Sequence, residues 1–90
     1  MNQVILNKKA QKQIKSIPIH IARKLQRWAE QVEIFGIEEI RKQAGYHDES
    51  LRGSREGQRS IRLSKSYRAF YIEQESDIII EVIEVNKHEY

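Results

Sequence analysis

Residues 78–85 read IIIEVIEV, β-branched nearly throughout. Side chains branched at Cβ fit a pleated strand better than a helix. A run this apolar predicts a central strand, buried on most of both faces. That single expectation constrains the rest of the chain, because a central strand needs neighbours on its edges and a layer over its surface.

The neighbours are legible on either side. Arg59 to Leu63 alternates, with Ile61 and Leu63 on one face and Ser60 and Arg62 on the other. Tyr67 to Ile72 is aromatic and apolar with Arg68 inside it, and the turns SKS and EQESD join these runs into a meander. Gln3 to Leu6, QVIL, predicts an edge strand. The covering layer comes from two helices. Asn7 can cap the first, whose apolar face is Leu6, Ala10, Ile14 and Ile17. Pro18 ends it and can start the second. There Ile21, Leu25, Trp28, Val32 and Phe35 step by four, three, four and three, and Gly36 closes the helix. The short join predicts an antiparallel helix pair. Ile37 to Lys42 can add a helical turn. From Ala44 to Gly57 the pattern fails, and three glycines punctuate what reads as a long surface loop. The expected fold is α+β, in the order β-α-α-β-β-β, with two helices on one face of an antiparallel sheet. Ninety residues make one domain, 1–90.

Charge is distributed unevenly. Residues 51–71 carry six basic side chains and one acidic, +5; residues 1–50 sum to +3 and residues 72–90 to −5, giving the whole-chain +3. Clustered guanidinium groups beside aromatics suit a phosphate-bearing partner. The bland alternative is a solvated arginine-rich hairpin. The chain has no cysteine, which excludes a disulfide framework, a zinc–cysteine site and thiol catalysis. No signal segment opens it and no apolar run approaches a bilayer span, so an intracellular, cytoplasmic protein without membrane contact is expected. No phosphate-cradling glycine motif and no close histidine pair stands out, so neither cofactor nor metal is expected.

A three-residue loop 64–66 would set Arg62 directly opposite Arg68 on the open face of the sheet. Like charges so opposed are destabilising. A fold tolerates them when an anion, or a flanking acid such as Glu73, Glu81 or Glu84, sits between them. The central strand is followed by Lys87, His88 and Tyr90, beside the same sheet. His88 is the natural proton-transfer group near neutral pH; His47 in the loop is a weaker one, and His20 at a helix start is structural or exposed. If the chain is an enzyme, its chemistry must run on arginine, lysine, histidine and tyrosine, a set that suits RNA cleavage by the internal 2′-hydroxyl. That reaction needs a proton acceptor, cations for the charge on phosphorus and an acid for the 5′-oxygen.

The segments GYHDESLRGSREGQRSIRLSKSYRAFY and IIIEVIEVNKHEY together resemble the RelE/ParE toxin superfamily of bacterial toxin–antitoxin modules, most closely its HigB-like branch. The markers are LRG-x-R-x-GQ-x-SIRL, YR-x-x-Y and EV-x-x-H. The resemblance covers the second half of the chain strongly and the first half in pattern only. It implies an mRNA interferase working on the translating ribosome, neutralised by a HigA-like helix-turn-helix antitoxin through which alone operator DNA is bound. The SIR and YR arginines fall on Arg62 and Arg68 as phosphate and transition-state contacts, and the histidine near the end falls on His88 as proton-transfer group. The residue before that histidine is often tyrosine in this branch and is Lys87 here; Tyr90 can supply the missing phenol, or Lys87 a cation. Arg52, Arg55 and Arg59, with Lys65 and His47, would hold RNA, mRNA and ribosomal RNA alike. Two other readings stay open on the same fold: a ParE-like inhibitor of DNA gyrase, and a non-catalytic corepressor.

Overall fold

In a computed structural model, which describes residues 2–74 and 79–87, the β-branched run forms strand β5 (Ile79–Lys87) and takes the position the sequence demands, flanked on both sides. The preceding strands are β1 (Gln3–Leu6), β2 (Glu49–Ser50), β3 (Arg59–Arg62) and β4 (Tyr67–Gln74), in the spatial order β1-β5-β4-β3-β2. The β3-β4-β5 meander is antiparallel as expected. The sheet as a whole is mixed, because β1 pairs parallel to β5. A β1 that enters the sheet and leaves through helices before β5 has no hairpin available to reverse it, so a parallel pairing follows.

The central strand is less uniform than its composition suggests. Phe70 pairs with Glu84 and the next residue, Tyr71, with Val82, so Ile83 is the extra residue of a bulge. The bulge resets the alternation. Ile80, Val82 and Val85 all point inward and are buried, while Glu81 and Glu84, three apart, both reach the open face. One face of β5 is therefore core and the other polar, which corrects the expectation of burial on both.

Helix α1 (Lys8–Ile14) begins at Asn7, whose Oδ1 accepts the Ala10 N–H at 2.8 Å. It seats Ala10 in the core and runs along the part of β5 that β1 leaves uncovered, where Gln13 Oε1 accepts the Val85 N–H at 2.6 Å. An edge amide is thereby satisfied by a side chain instead of a strand. Helix α2 (Ile19–Phe35) starts after Pro18 and buries Ile21, Leu25, Trp28 and Val32. Trp28 meets Tyr71 of β4 with ring centroids 5.3 Å apart, which places α2 on the Tyr71 face of the sheet. The helices pack chiefly against strands and against α3 (Ile37–Arg41) instead of forming an isolated antiparallel pair.

Phe35, the last residue of the predicted stripe, is 61 % exposed. Gly36, at φ +88°, turns the chain there, and Ile37 and Ile40 of α3 occupy the core in its place. The expected loop 44–57 is partly built: it holds β2 and single 3₁₀ turns at Ala44–Tyr46 and Gly53–Arg55. Tyr46 is buried and donates to Gln31 Oε1 at 2.8 Å, which fastens the loop to α2.

Candidate nucleic-acid interface

Strand alternation divides the basic stretch between two faces. On the open face, away from the helices, lie Ser60 and Arg62 of β3, Arg68 and Phe70 of β4, and Glu84 and Asn86 of β5. Arg62 is the direct cross-strand partner of Arg68. The hairpin that imposes this register is tied by Ser64 Oγ, which accepts the N–H groups of Ser66 and Tyr67, both at 3.2 Å. Ser64 is thus a turn residue, and Ser60, 1 % exposed, lies beneath the arginines.

The two arginines are held unequally. Arg68 donates to Ser60 Oγ at 3.3 Å and lies 3.5 Å from Glu49 Oε1, a carboxylate half exposed on β2. Arg62 makes no hydrogen bond or ion pair among the described residues. Neither arginine is matched by the acids the sequence offered: Glu73 pairs with Arg41, Glu81 with Gln74, and Glu84 with other cations. A guanidinium without a partner among the described residues, beside a loosely compensated one, has donors and charge to offer an anion.

Glu84 organises the far side of this face. Its Oε1 accepts Arg55 at 2.9 Å and Lys9 of α1 at 3.1 Å, and its Oε2 accepts Asn86. Burial raises its pKa, but the bonds to Arg55 and Lys9 outweigh burial and leave it below the ordinary glutamate value. Arg55 also donates to Gln58 Oε1 at 2.8 Å, and its guanidinium lies 4.0 Å from the centre of the Phe70 ring.

Arg59 belongs elsewhere. It opposes Tyr71, on the face that the helices cover, and its Nε donates to Asp48 Oδ1 at 2.6 Å. Tyr71 donates to the other oxygen of Asp48, also at 2.6 Å, and Arg41 contacts both Tyr71 and Glu73. The Asp48 side chain is 1 % exposed. Burial, then the bond to Asp48, raises the Tyr71 pKa far above its ordinary value. For Arg59, burial lowers the pKa and Asp48 more than offsets it. Arg59 is therefore an internal ion-pair partner in the structure.

The remaining sequence-selected residues are scattered. Lys65 stands exposed at the hairpin tip, and Arg52 is exposed before the second 3₁₀ turn. His47 is exposed in the left-handed conformation, beside Asp48 and Arg41 in a separate hollow. Lys87, opposite Tyr67, alternates onto the face away from Arg68. His88 and Tyr90 lie outside the described residues. Sequence reasoning missed two neighbours in the segment HDE: Asp48, the buried anchor, and Glu49, the acid beside Arg68. The signal available was their adjacency at the start of β2, where Asp48 precedes the strand and Glu49 opens it, so that successive side chains turn to opposite sides. Among the described residues, no three histidine, aspartate or glutamate side chains come together in a way that could hold a metal ion, and no helix is long and apolar enough to cross a membrane.

No family model and no curated protein matches the sequence. Solved structures do match the fold. The toxin–antitoxin complex RelBE2 from Mycobacterium tuberculosis is similar at TM-score 0.72 and 16 % identity, over 97 % of this chain and 98 % of that one. A YoeB/ParE toxin from Agrobacterium tumefaciens gives 0.74 and 16 %, over 99 % and 100 %. The archaeal RelE–RelB complex from Pyrococcus horikoshii gives 0.72 and 19 %, over 96 % and 93 %. The chain has the α+β fold of these RelE- and ParE-type toxins.

Proposed function

We propose that this chain is the toxin of a toxin–antitoxin module and an endoribonuclease that cleaves mRNA on the translating ribosome. One observation carries the reading: Arg62 and Arg68 face each other on the open side of the sheet, and Arg62 has no partner among the described residues. A scissile phosphate between them accounts for a juxtaposition that costs the fold stability.

In the reaction the 2′-oxygen attacks phosphorus, the bond to the 5′-oxygen breaks, and a 2′,3′-cyclic phosphate and a 5′-hydroxyl result. Arg62 and Arg68 stabilise the charge that develops on the phosphoryl oxygens. The 2′-hydroxyl proton needs an acceptor. Glu49, 3.5 Å from Arg68, supplies a carboxylate on the correct face. His88 is the proposed acid for the leaving 5′-oxygen, with Tyr90 as alternative. Arg52 and Lys65, exposed and positive, grip backbone phosphates.

The partner is proposed to be a helix-turn-helix antitoxin whose toxin-binding segment is an acidic amphipathic helix. A groove of about 430 Å³ between α1 and α2 is lined by Leu6, Ile14, Ile19, Ala22, Leu25 and Ala29, together with Arg23 and Gln26. Ile19 is 67 % exposed there, and residues 1–29 carry seven basic side chains and no acidic one. A largely apolar lining with a basic surround complements such a helix.

Inducing the protein in a bacterium and mapping mRNA 5′ ends by primer extension tests the activity. Cuts inside translated codons that vanish in Arg62→Ala support the reading. Growth arrest without cuts, accompanied by inhibited supercoiling, would replace it with gyrase inhibition. Neither cuts nor arrest would leave a corepressor.

A further inference from the structure

Arg55 differs from the other basic residues of the open face in how its donors are spent. Nη1 is bonded to Gln58 and Nη2 to Glu84, and the guanidinium carbon lies over the Phe70 ring, 4.0 Å from its centre. Glu84 neutralises its charge and is itself held by Lys9 and Asn86. Two of its five N–H donors are spent on the protein and Glu84 offsets its charge, so this guanidinium is a weaker phosphate grip than an unpaired one. Its flat outer surface remains, on a side chain 35 % exposed.

We propose that Arg55, laid on Phe70, is a stacking shelf for a nucleobase of the RNA substrate. The inference rests on the reading of the open face as an RNA interface, and it changes the role of Arg55 within it from charge to surface. Phe70 and Arg68 are two residues apart on β4 and point the same way, so the shelf lies about 7 Å along the strand from the arginine pair. A base placed on the shelf leaves its own backbone within reach of Arg68 and Arg62. Stacking on a guanidinium face is indifferent to base identity, so the shelf contributes affinity and register without sequence preference.

The test compares fluorescein-labelled hexa-adenylate with the same strand made abasic throughout, by fluorescence anisotropy. The wild-type chain is expected to bind the intact strand about tenfold tighter. Arg55→Lys keeps the charge and loses the plane, and should bring the ratio near one. Glu84→Gln weakens the hold on Arg55 and removes a negative charge; it should lower the ratio while tightening the abasic strand. Phe70→Leu should act as Arg55→Lys does, with circular dichroism showing that the fold is kept. Both strands bound equally by the wild type would overturn the shelf alone. A ratio unmoved in Arg55→Lys would also overturn it. Failure of the wild type to bind either strand would overturn the RNA interface and the shelf with it.

Discussion

Arg62 and Arg68 are direct cross-strand neighbours, and Glu49, the carboxylate beside them, contacts Arg68 only. Removing a charge from such a pair relieves repulsion. Arg62→Gln is therefore expected to leave stability unchanged or raise it by a few tenths of a kcal/mol at low salt. Urea unfolding at two salt concentrations checks this: the difference between the variants should shrink as salt rises.

Asp48 is the acid on which the far end of the sheet depends. Its loss strands Arg59 and leaves the Tyr71 hydroxyl without its acceptor. Asp48→Ala is expected to cost about 3 kcal/mol, below the upper range for a buried pair because Arg59 keeps some contact with solvent. Denaturant melts give the value directly. A cost under about 1 kcal/mol would show that the pair is not structural.

The Tyr71 pKa is raised by burial and by Asp48. The native state therefore favours the protonated phenol. The stability this represents is fully present below the ordinary tyrosine value of about 10 and is lost as pH rises above it. Tyr46 is raised too, chiefly by burial, and adds to the same alkaline limb. Melting temperatures from pH 7 to 11 should fall across the upper part of that range, and Tyr71→Phe should flatten the fall.

The second helix tests where the core ends. Val32 is fully buried and Phe35 is 61 % exposed, although both sit on the same apolar stripe in the sequence. Val32→Ala should cost about 2 kcal/mol, and Phe35→Ser should stay within about 0.5 kcal/mol. Chemical denaturation of both variants separates them.

What the chain declares and what it withholds follow from range. The β3-β4 register was legible because a short loop and a period of two fix it locally, and with it the meeting of Arg62 and Arg68. The caps at Asn7 and Gly36 were legible for the same reason. The bulge at Ile83 was not, because it depends on how β4 and β5 share one buried surface; the three-residue spacing of Glu81 and Glu84 was its only trace. Arg59 looked like another exposed cation, since nothing in its own strand announces a buried aspartate eleven residues earlier. Phe35 fitted a helical stripe that the turn at Gly36 cuts short.

In the proposed reaction the arginine pair, and not general positive charge, carries catalysis. This is tested most directly by the single-turnover rate of mRNA cleavage on programmed ribosomes, for the wild-type chain, Arg62→Ala, Arg68→Ala and Lys65→Ala. A loss of about 10²–10³-fold is expected in each arginine variant, the size seen when one preorganised donor to a developing anion is removed. Lys65→Ala should lose only a few-fold, and less as salt rises. Equal small losses in all three variants would contradict it and reduce the open face to a non-specific basic surface.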